Sequence, residues 1–217
     1  MLPAPGTVLA VCVVHRVKPD AGRVGRTAID KRPVDGPVEV GPLGLARDVQ
    51  SDERDHGGVD QAVYAYDDAE AQRWAEEIGP VGHGQFGENL RTAGIAVTDA
   101  VIGERWAVGP QLELEVTLPR IPCATFGRHL GQERWVRRFS ARGDVGAYFR
   151  VLTPGAVRAG DGVQQTFVPE HGVTVRETFH AVFGGPRDDA RVRRLLGEAD
   201  GLAPKLRLLL DGALARA

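Results

Sequence analysis

Leu112-Glu113-Leu114-Glu115-Val116-Thr117-Leu118-Pro119-Arg120-Ile121-Pro122-Cys123 reads as a strand that runs straight into a rigid loop carrying a thiol. Leu112, Leu114 and Val116 alternate with Glu113, Glu115 and Thr117, the period of a strand with one face on a core. Two prolines fix the loop that follows, because each locks φ and removes a backbone donor. That rigidity holds Arg120 and Cys123 in a defined relation. Arginine offers a fork of donors to a phosphate, and a cation beside a thiol favours the reactive thiolate. A structural cysteine buried at a strand end fits the same string.

Working outward, residues 8–14 form a continuous β-branched and small apolar run, suited to a strand buried on both faces with Cys12 inside it. Residues 148–152 and 163–168 are further strands. The 28 glycines and 14 prolines crowd the first 170 residues and keep the apolar runs short, which suits a strand-rich barrel or sandwich. One helix interrupts this body: Asp67 or Asp68 caps it, Ala71, Trp74, Ala75 and Ile78 form its apolar face, and Gly79-Pro80 ends it. A second helix is expected around residues 132–139. After Glu170 the texture changes. Val175, Phe179, Val182 and Phe183 fall at helical spacing, Asp188 opens a helix carrying Val192, Leu195 and Leu196, and Pro204 opens another carrying Leu206, Leu209, Leu210 and Leu214. The expected architecture is a mainly β body over residues 1–170 and a three-helix extension over 171–217.

Composition narrows the function. The chain has 217 residues, enough for a core without staples, and a net charge of −2, so no whole-protein field attracts nucleic acid or an anionic membrane. Any anion site must be local. Two cysteines are too few for a disulfide scaffold, a four-cysteine zinc site or an iron–sulfur cluster. The N-terminal apolar run is stopped by His15 and Arg16, so neither a signal peptide nor a membrane span is expected and the location is read as cytoplasmic. Gly82-His83-Gly84-Gln85-Phe86-Gly87 matches a dinucleotide-loop string but lacks the preceding strand and the following helix, so its glycines are turn residues. The six histidines never stand three to five apart, which disfavours a zinc hydrolase, and no serine-hydrolase elbow or Walker loop occurs.

What remains is polar residues in tight loops. The glycines of Asp55-His56-Gly57-Gly58 leave backbone N–H groups open to an anion, although a polar turn fits equally. Phe86-Gly87-Glu88-Asn89-Leu90 can bury Phe86 and Leu90 while presenting Glu88 and Asn89 to a pocket. These two segments, followed by Pro119-Arg120-Ile121-Pro122-Cys123, resemble in order and spacing the MOSC family, named for the C-terminal domain of molybdenum-cofactor sulfurase. The match is to its stand-alone bacterial branch. It extends upstream to Lys31-Arg32-Pro33-Val34 and Gly44-Leu45-Ala46-Arg47-Asp48 and downstream to Tyr148-Phe149-Arg150-Val151-Leu152, covering about residues 6–168. The tail is similar to the three-helix extension of some members of that branch. One departure is Arg47, where the family usually has glycine before Asp48; its side chain either adds a phosphate contact or blocks a backbone approach.

The resemblance implies a β-barrel that binds a molybdopterin-type molybdenum cofactor, with Cys123 as the metal or sulfur ligand. It also implies reduction of N-hydroxylated compounds such as hydroxylamino purine analogues. Residue chemistry agrees: a thiolate suits a soft dithiolene-bound metal, and Arg120, His56, Lys31, Arg47 and the N–H groups of Gly57 and Gly58 suit the cofactor's phosphate. Asn89 can donate and accept at a pterin's amide edge. Glu88 or Asp48 is a candidate proton source. With no cluster cysteines and no flavin or nicotinamide loop, the cycle requires an external electron-transfer protein. The alternatives are a sulfur carrier with a persulfide on Cys123 and a non-catalytic cofactor-binding module; an exposed apolar face on the leucine-rich tail would favour a homodimer.

Overall fold

The computed structural model describes residues 6–51, 57–184, 188–198 and 201–216. The strands are β1 (Gly6–Val14), β2 (Lys18–Pro19), β3 (Arg26–Thr27), β4 (Lys31–Pro33), β5 (Val38–Gly41), β6 (Gly44–Leu45), β7 (Val63–Asp67), β8 (Leu90–Ala93), β9 (Arg105–Val108), β10 (Leu112–Pro119), β11 (Ala147–Thr153), β12 (Gly155–Val157) and β13 (Gly162–Phe167). The helices are α1 (Asp68–Ile78), α2 (Ala124–Leu130), α3 (Trp135–Arg142), α4 (Val175–Phe183), α5 (Asp189–Glu198) and α6 (Pro204–Leu214), and a 3-10 turn spans Val59–Gln61.

Seven strands close a barrel in the order β13-β9-β10-β11-β7-β8-β1, with β1 returning to β13 through Gly6 opposite Val163 and Thr7 opposite Gly162. Closure removes the exposed edges an open sheet would leave. All of these pairs are antiparallel except β7–β8, and that parallel pair is what α1 makes sterically feasible, since parallel neighbours need a crossover. β4 extends the sheet beyond β1, β5 pairs with β6 and β12, and β2 with β3 makes a separate hairpin.

The expected strands at residues 8–14, 112–118, 148–152 and 163–168 are present as β1, β10, β11 and β13. In β10, Leu112, Leu114 and Val116 are buried while Glu113 is exposed, as the alternation requires. Asp67 caps α1 by accepting the Ala69 N–H at 2.7 Å, Ala71 and Trp74 are buried, and Gly79 at φ 80° stops the helix. Trp74 then packs on Trp135 at 4.5 Å between ring centres, and Phe139 joins them, locking α1 to α3. No period or side-chain cap in the sequence marks α2, which begins directly after Cys123.

The helical extension docks on the barrel. Ile102 N–H donates to Val173 O at 3.0 Å, Val175 N–H to Ala100 O at 2.9 Å and Arg176 N–H to Thr98 O at 2.9 Å. Val175, Phe179, Val192, Leu195, Leu206 and Leu210 belong to the same hydrophobic cluster as the barrel interior. Most of the tail's apolar face is therefore spent on its own body, with Phe183 at 41% and Leu208 at 74% left exposed. Among the described residues no helix is long and apolar enough to cross a membrane.

Candidate functional site

Tyr148 stands directly opposite Tyr64 in the β11–β7 ladder and Leu118 in the β11–β10 ladder. Opposed residues share a face of a sheet, so the two tyrosines meet, with ring centres 5.2 Å apart. The chain leaving β10 carries Arg120 and Cys123 to the same place, and Cys123 becomes the N-cap residue of α2. These groups line a cavity of about 380 Å³, walled on its other sides by the β2–β3 hairpin with residues 28–31, and by residues 48–51.

Of the residues singled out in the sequence, Lys31, Asn89, Arg120 and Cys123 line this cavity. Arg47 does not; it is exposed, and it stands at φ 68°, the left-handed region where glycine is at ease. The phosphate contact considered for it is thus not made from the cavity wall. Gly57 and Gly58 are also outside the lining, and the Gly58 N–H already donates to Gln50 Oε1 at 3.1 Å, so it is not open to an anion. His56 lies outside the described residues.

Arg120 is 5% exposed, and its Nη1 has no hydrogen-bond partner among the described residues. Its guanidinium carbon lies 3.8 Å from the centre of the Phe126 ring, so packing rather than an ion pair holds it. A buried donor left bare costs about 1–3 kcal/mol, more when charged, and an anionic ligand removes that cost. The cavity holds a second orphan, the buried hydroxyl of Ser51.

The remaining polar wall is built by Asp48. Its Oδ2 accepts from Lys31 Nζ at 2.5 Å and Asn89 Nδ2 at 2.8 Å, and its Oδ1 from Val14 N–H at 2.9 Å. Asn89 is tied further: its Oδ1 accepts from Tyr64 N–H at 3.1 Å and its Nδ2 reaches Cys12 O at 3.3 Å. The Asn89 amide thereby staples β1, β7 and the Asp48 loop. Its sequence neighbour Glu88 does not face the cavity; it is fully buried, accepting the N–H groups of Gly84 and Phe86 at 2.7 and 3.0 Å and pairing with Arg91.

The β2–β3 hairpin is clasped to α2. Asp20 accepts Arg128 Nε at 2.9 Å, Arg128 Nη2 at 2.6 Å, Thr125 Oγ1 at 2.9 Å and the Gly22 N–H at 2.9 Å. The Arg128 bonds above all hold its carboxyl well below the ordinary carboxylate range. Lys18 Nζ donates to His129 Nδ1 at 2.9 Å, and burial with that lysine lowers the imidazole's pKa. Cys12, by contrast, is fully buried in β1, where burial pushes its thiol up to about 12 and leaves it inert. Ser51, Gln61, Tyr64 and Tyr148 carry no site signal in the sequence; Gln61 and Tyr64 stand three residues apart at the entry to β7, and the fold brings Ser51 and Tyr148 to them.

A model of the MOSC domain family matches residues 52–164. The chain is 30% identical over 179 residues to the uncharacterized protein YflK of Bacillus subtilis, covering 82% of this chain and 80% of that one. It is 32% identical over 181 residues to protein YiiM of Escherichia coli, covering 80% and 78%. The crystal structure of the Escherichia coli YiiM superposes with a TM-score of 0.74 at 25% identity, over 99% of this chain and 95% of that one. A protein of Gibberella moniliformis named as a reductase is 31% identical over 165 residues, which are 74% of this chain but 29% of that longer protein. By the matched domain, these relatives and the shared barrel, the chain belongs to the MOSC domain family.

Proposed function

We propose that this chain is a molybdenum-cofactor-binding reductase of N-hydroxylated compounds, supplied with electrons by a separate electron-transfer protein in the cytoplasm. The observation that carries the reading is Arg120: a buried guanidinium with a bare donor, lining the same cavity as the Cys123 thiol. An anion-bearing ligand that also offers a soft metal suits the charge of Arg120 and the softness of the Cys123 sulfur at once.

In this reading Cys123 would bind the metal, Arg120 and Ser51 would take the phosphate, and Lys31, its charge balanced by Asp48, would add N–H donors to the wall. When bound, the cofactor supplies a two-electron redox centre whose chemistry is its own. The protein orients it, encloses it between the β2–β3 hairpin and α2, and keeps Cys12 out of the chemistry by burial. The reductase name of the Gibberella relative is consistent with this class of reaction.

The test is molybdenum and pterin content of protein from a host that makes the cofactor. Wild type is expected to carry both, and Cys123→Ala to lose at least about tenfold of the metal with its unfolding midpoint unchanged. Full metal in Cys123→Ala removes Cys123 as the ligand. Wild type without metal or pterin, beside a loaded control, removes the cofactor reading.

A further inference from the structure

Cleaving an N–O bond expels hydroxide, a strong base, unless a proton is supplied as it leaves. Glu88 and Asp48, the two carboxyls marked as candidate sources in the sequence, are both engaged as acceptors: Glu88 is sealed beneath its bonds to Gly84, Phe86 and Arg91, and Asp48 accepts from Lys31, Asn89 and Val14. Tyr64 is fully enclosed and donates its hydroxyl to Val145 O at 3.0 Å. Tyr148 differs from all three. It is half-buried, lines the cavity with Arg120 and Cys123, and its phenol hydrogen-bonds the Gln61 side chain, whose Oε1 is taken by Lys205, so the amide N–H2 is the donor and the phenolic proton is left for a ligand. Its ring is fixed against Tyr64, and its backbone carbonyl accepts from Thr117 Oγ1 at 2.9 Å.

We propose that Tyr148 is a catalytic residue that donates the proton to the departing oxygen of the N-hydroxylated substrate. The proposal rests on the reductase reading above. As the N–O bond of R–NH–OH breaks, the phenol protonates the hydroxyl oxygen, which leaves as water. Two electrons from the external electron-transfer protein and one further proton from solvent complete R–NH2, and solvent reprotonates the phenolate. Burial raises the pKa of Tyr148, so the phenol holds its proton through the neutral range, while Arg120 works in the opposite direction and stabilises the phenolate once formed. Hydroxide is far more basic than phenolate, so the transfer runs downhill.

Gln61 makes the placement specific. It is 6% exposed, its side-chain amide hydrogen-bonds the Tyr148 phenol, and its Oε1 accepts from Lys205 Nζ of α6 at 3.3 Å. The helical extension thus reaches the active cavity through one amide.

Tyr148→Phe keeps the ring and deletes only the hydroxyl. Loaded protein is assayed with an N-hydroxy substrate and with its O-acylated counterpart, whose carboxylate leaving group needs no proton. The expected result is a loss of about 100-fold or more in kcat on the hydroxy compound and little loss on the acylated one, with cofactor content and unfolding midpoint unchanged. Equal losses on both substrates, or none on the hydroxy compound, overturn the proposal. Binding without an electron donor gives a second readout: wild type prefers R–NH–OH over R–NH2 by about 2–10-fold and Tyr148→Phe loses that preference, whereas an unchanged ratio counts against the proton donor. Should Tyr148→Phe unfold, a fluorinated tyrosine at 148 is expected to move the alkaline limb of the kcat/KM profile to lower pH, and an unmoved limb overturns the proposal. Wild type that carries the cofactor and reduces neither substrate overturns the reductase reading itself, a failure distinct from a defect confined to Tyr148.

Discussion

Arg120 is kept at a cost to the ligand-free protein. Its guanidinium is desolvated between the Tyr64, Phe126 and Phe139 rings with Nη1 bare, so replacing it with an apolar side chain of similar length removes a penalty. Arg120→Met is expected to leave the unfolding free energy of the ligand-free protein unchanged or raise it by about 1 kcal/mol, read by urea unfolding. The same variant is expected to bind the phosphate-bearing cofactor about 10–100-fold more weakly, since a charge-assisted bond is lost. A variant that is strongly destabilised instead would mean that the stacking outweighs the bare donor. The sequence marks Arg120 and Cys123 because proline geometry is local and can be read from five consecutive letters. It does not tell Glu88 from Asn89: the two are neighbours, yet one caps the turn beneath the barrel and the other faces the cavity. Glu88 is held by near neighbours, Gly84, Phe86 and Arg91, whereas Asn89 is held by Asp48, which approaches from a distant segment. Nor do Ser51, Gln61 and Tyr148 share any string.

At the level of elements, the cavity depends on a hairpin of two-residue strands that contributes almost no core. What fixes the β2–β3 hairpin is Asp20, through its bonds to Arg128 and Thr125 of α2, with Lys18 on His129 as a second tie. Asp20→Asn loses the charge that Arg128 pairs with. The hairpin is then expected to open more often, and Cys123 to react with iodoacetamide several-fold faster, while Cys12 stays unreactive behind β1. An unchanged rate at Cys123 would show that the hairpin does not control access. Elements with a full amphipathic period and a start signal, such as α1 after Asp67, α5 after Asp188 and α6 on Pro204, are legible in the sequence. The β2–β3 hairpin and α2 are not. Two-residue strands are too short to show a period, and α2 starts at a cysteine that makes no side-chain capping bond, leaving Phe126, Leu130 and the closing Gly131 at φ 63° as its faint signal.

At the scale of the whole molecule, barrel, crossover helix and tail meet at Glu70 of α1. The change of texture near residue 170 marks where strands give way to helices, but an apolar stripe does not name the surface it will pack on. The junction itself is polar. Thr98 Oγ1 donates to Glu70 Oε2 at 2.7 Å, and Arg73 and Arg176 stand 4.0 and 3.7 Å from Oε1. Arg176, from the tail, also holds Asp99 at 2.6 Å and Asp144 at 3.1 Å. Burial raises the Glu70 pKa to about 8, with Asp144 adding to the rise. A raised acid makes the folded state bind a proton that the unfolded state has lost, so Glu70 contributes stability that is full below about 4.5 and is lost as pH rises through 8. His129, His171 and His180 act in the other direction. Burial lowers all three, so as pH falls below about 6.5 the unfolded chain takes up protons first and stability falls. The two limbs give a stability maximum near the middle of that range. Glu70→Gln keeps an acceptor for Thr98 and cannot ionise, so it is expected to flatten the loss between pH 6.5 and pH 8.5, on the order of a few kcal/mol, and to leave the acid limb in place. Urea midpoints of both proteins across about pH 5 to 9 decide it: a wild-type curve that does not fall on the alkaline side, or a variant that falls equally, would mean that Arg73 and Arg176 already hold Glu70 ionised and that the tail is tied to the barrel by a charged cluster rather than by a neutral acid.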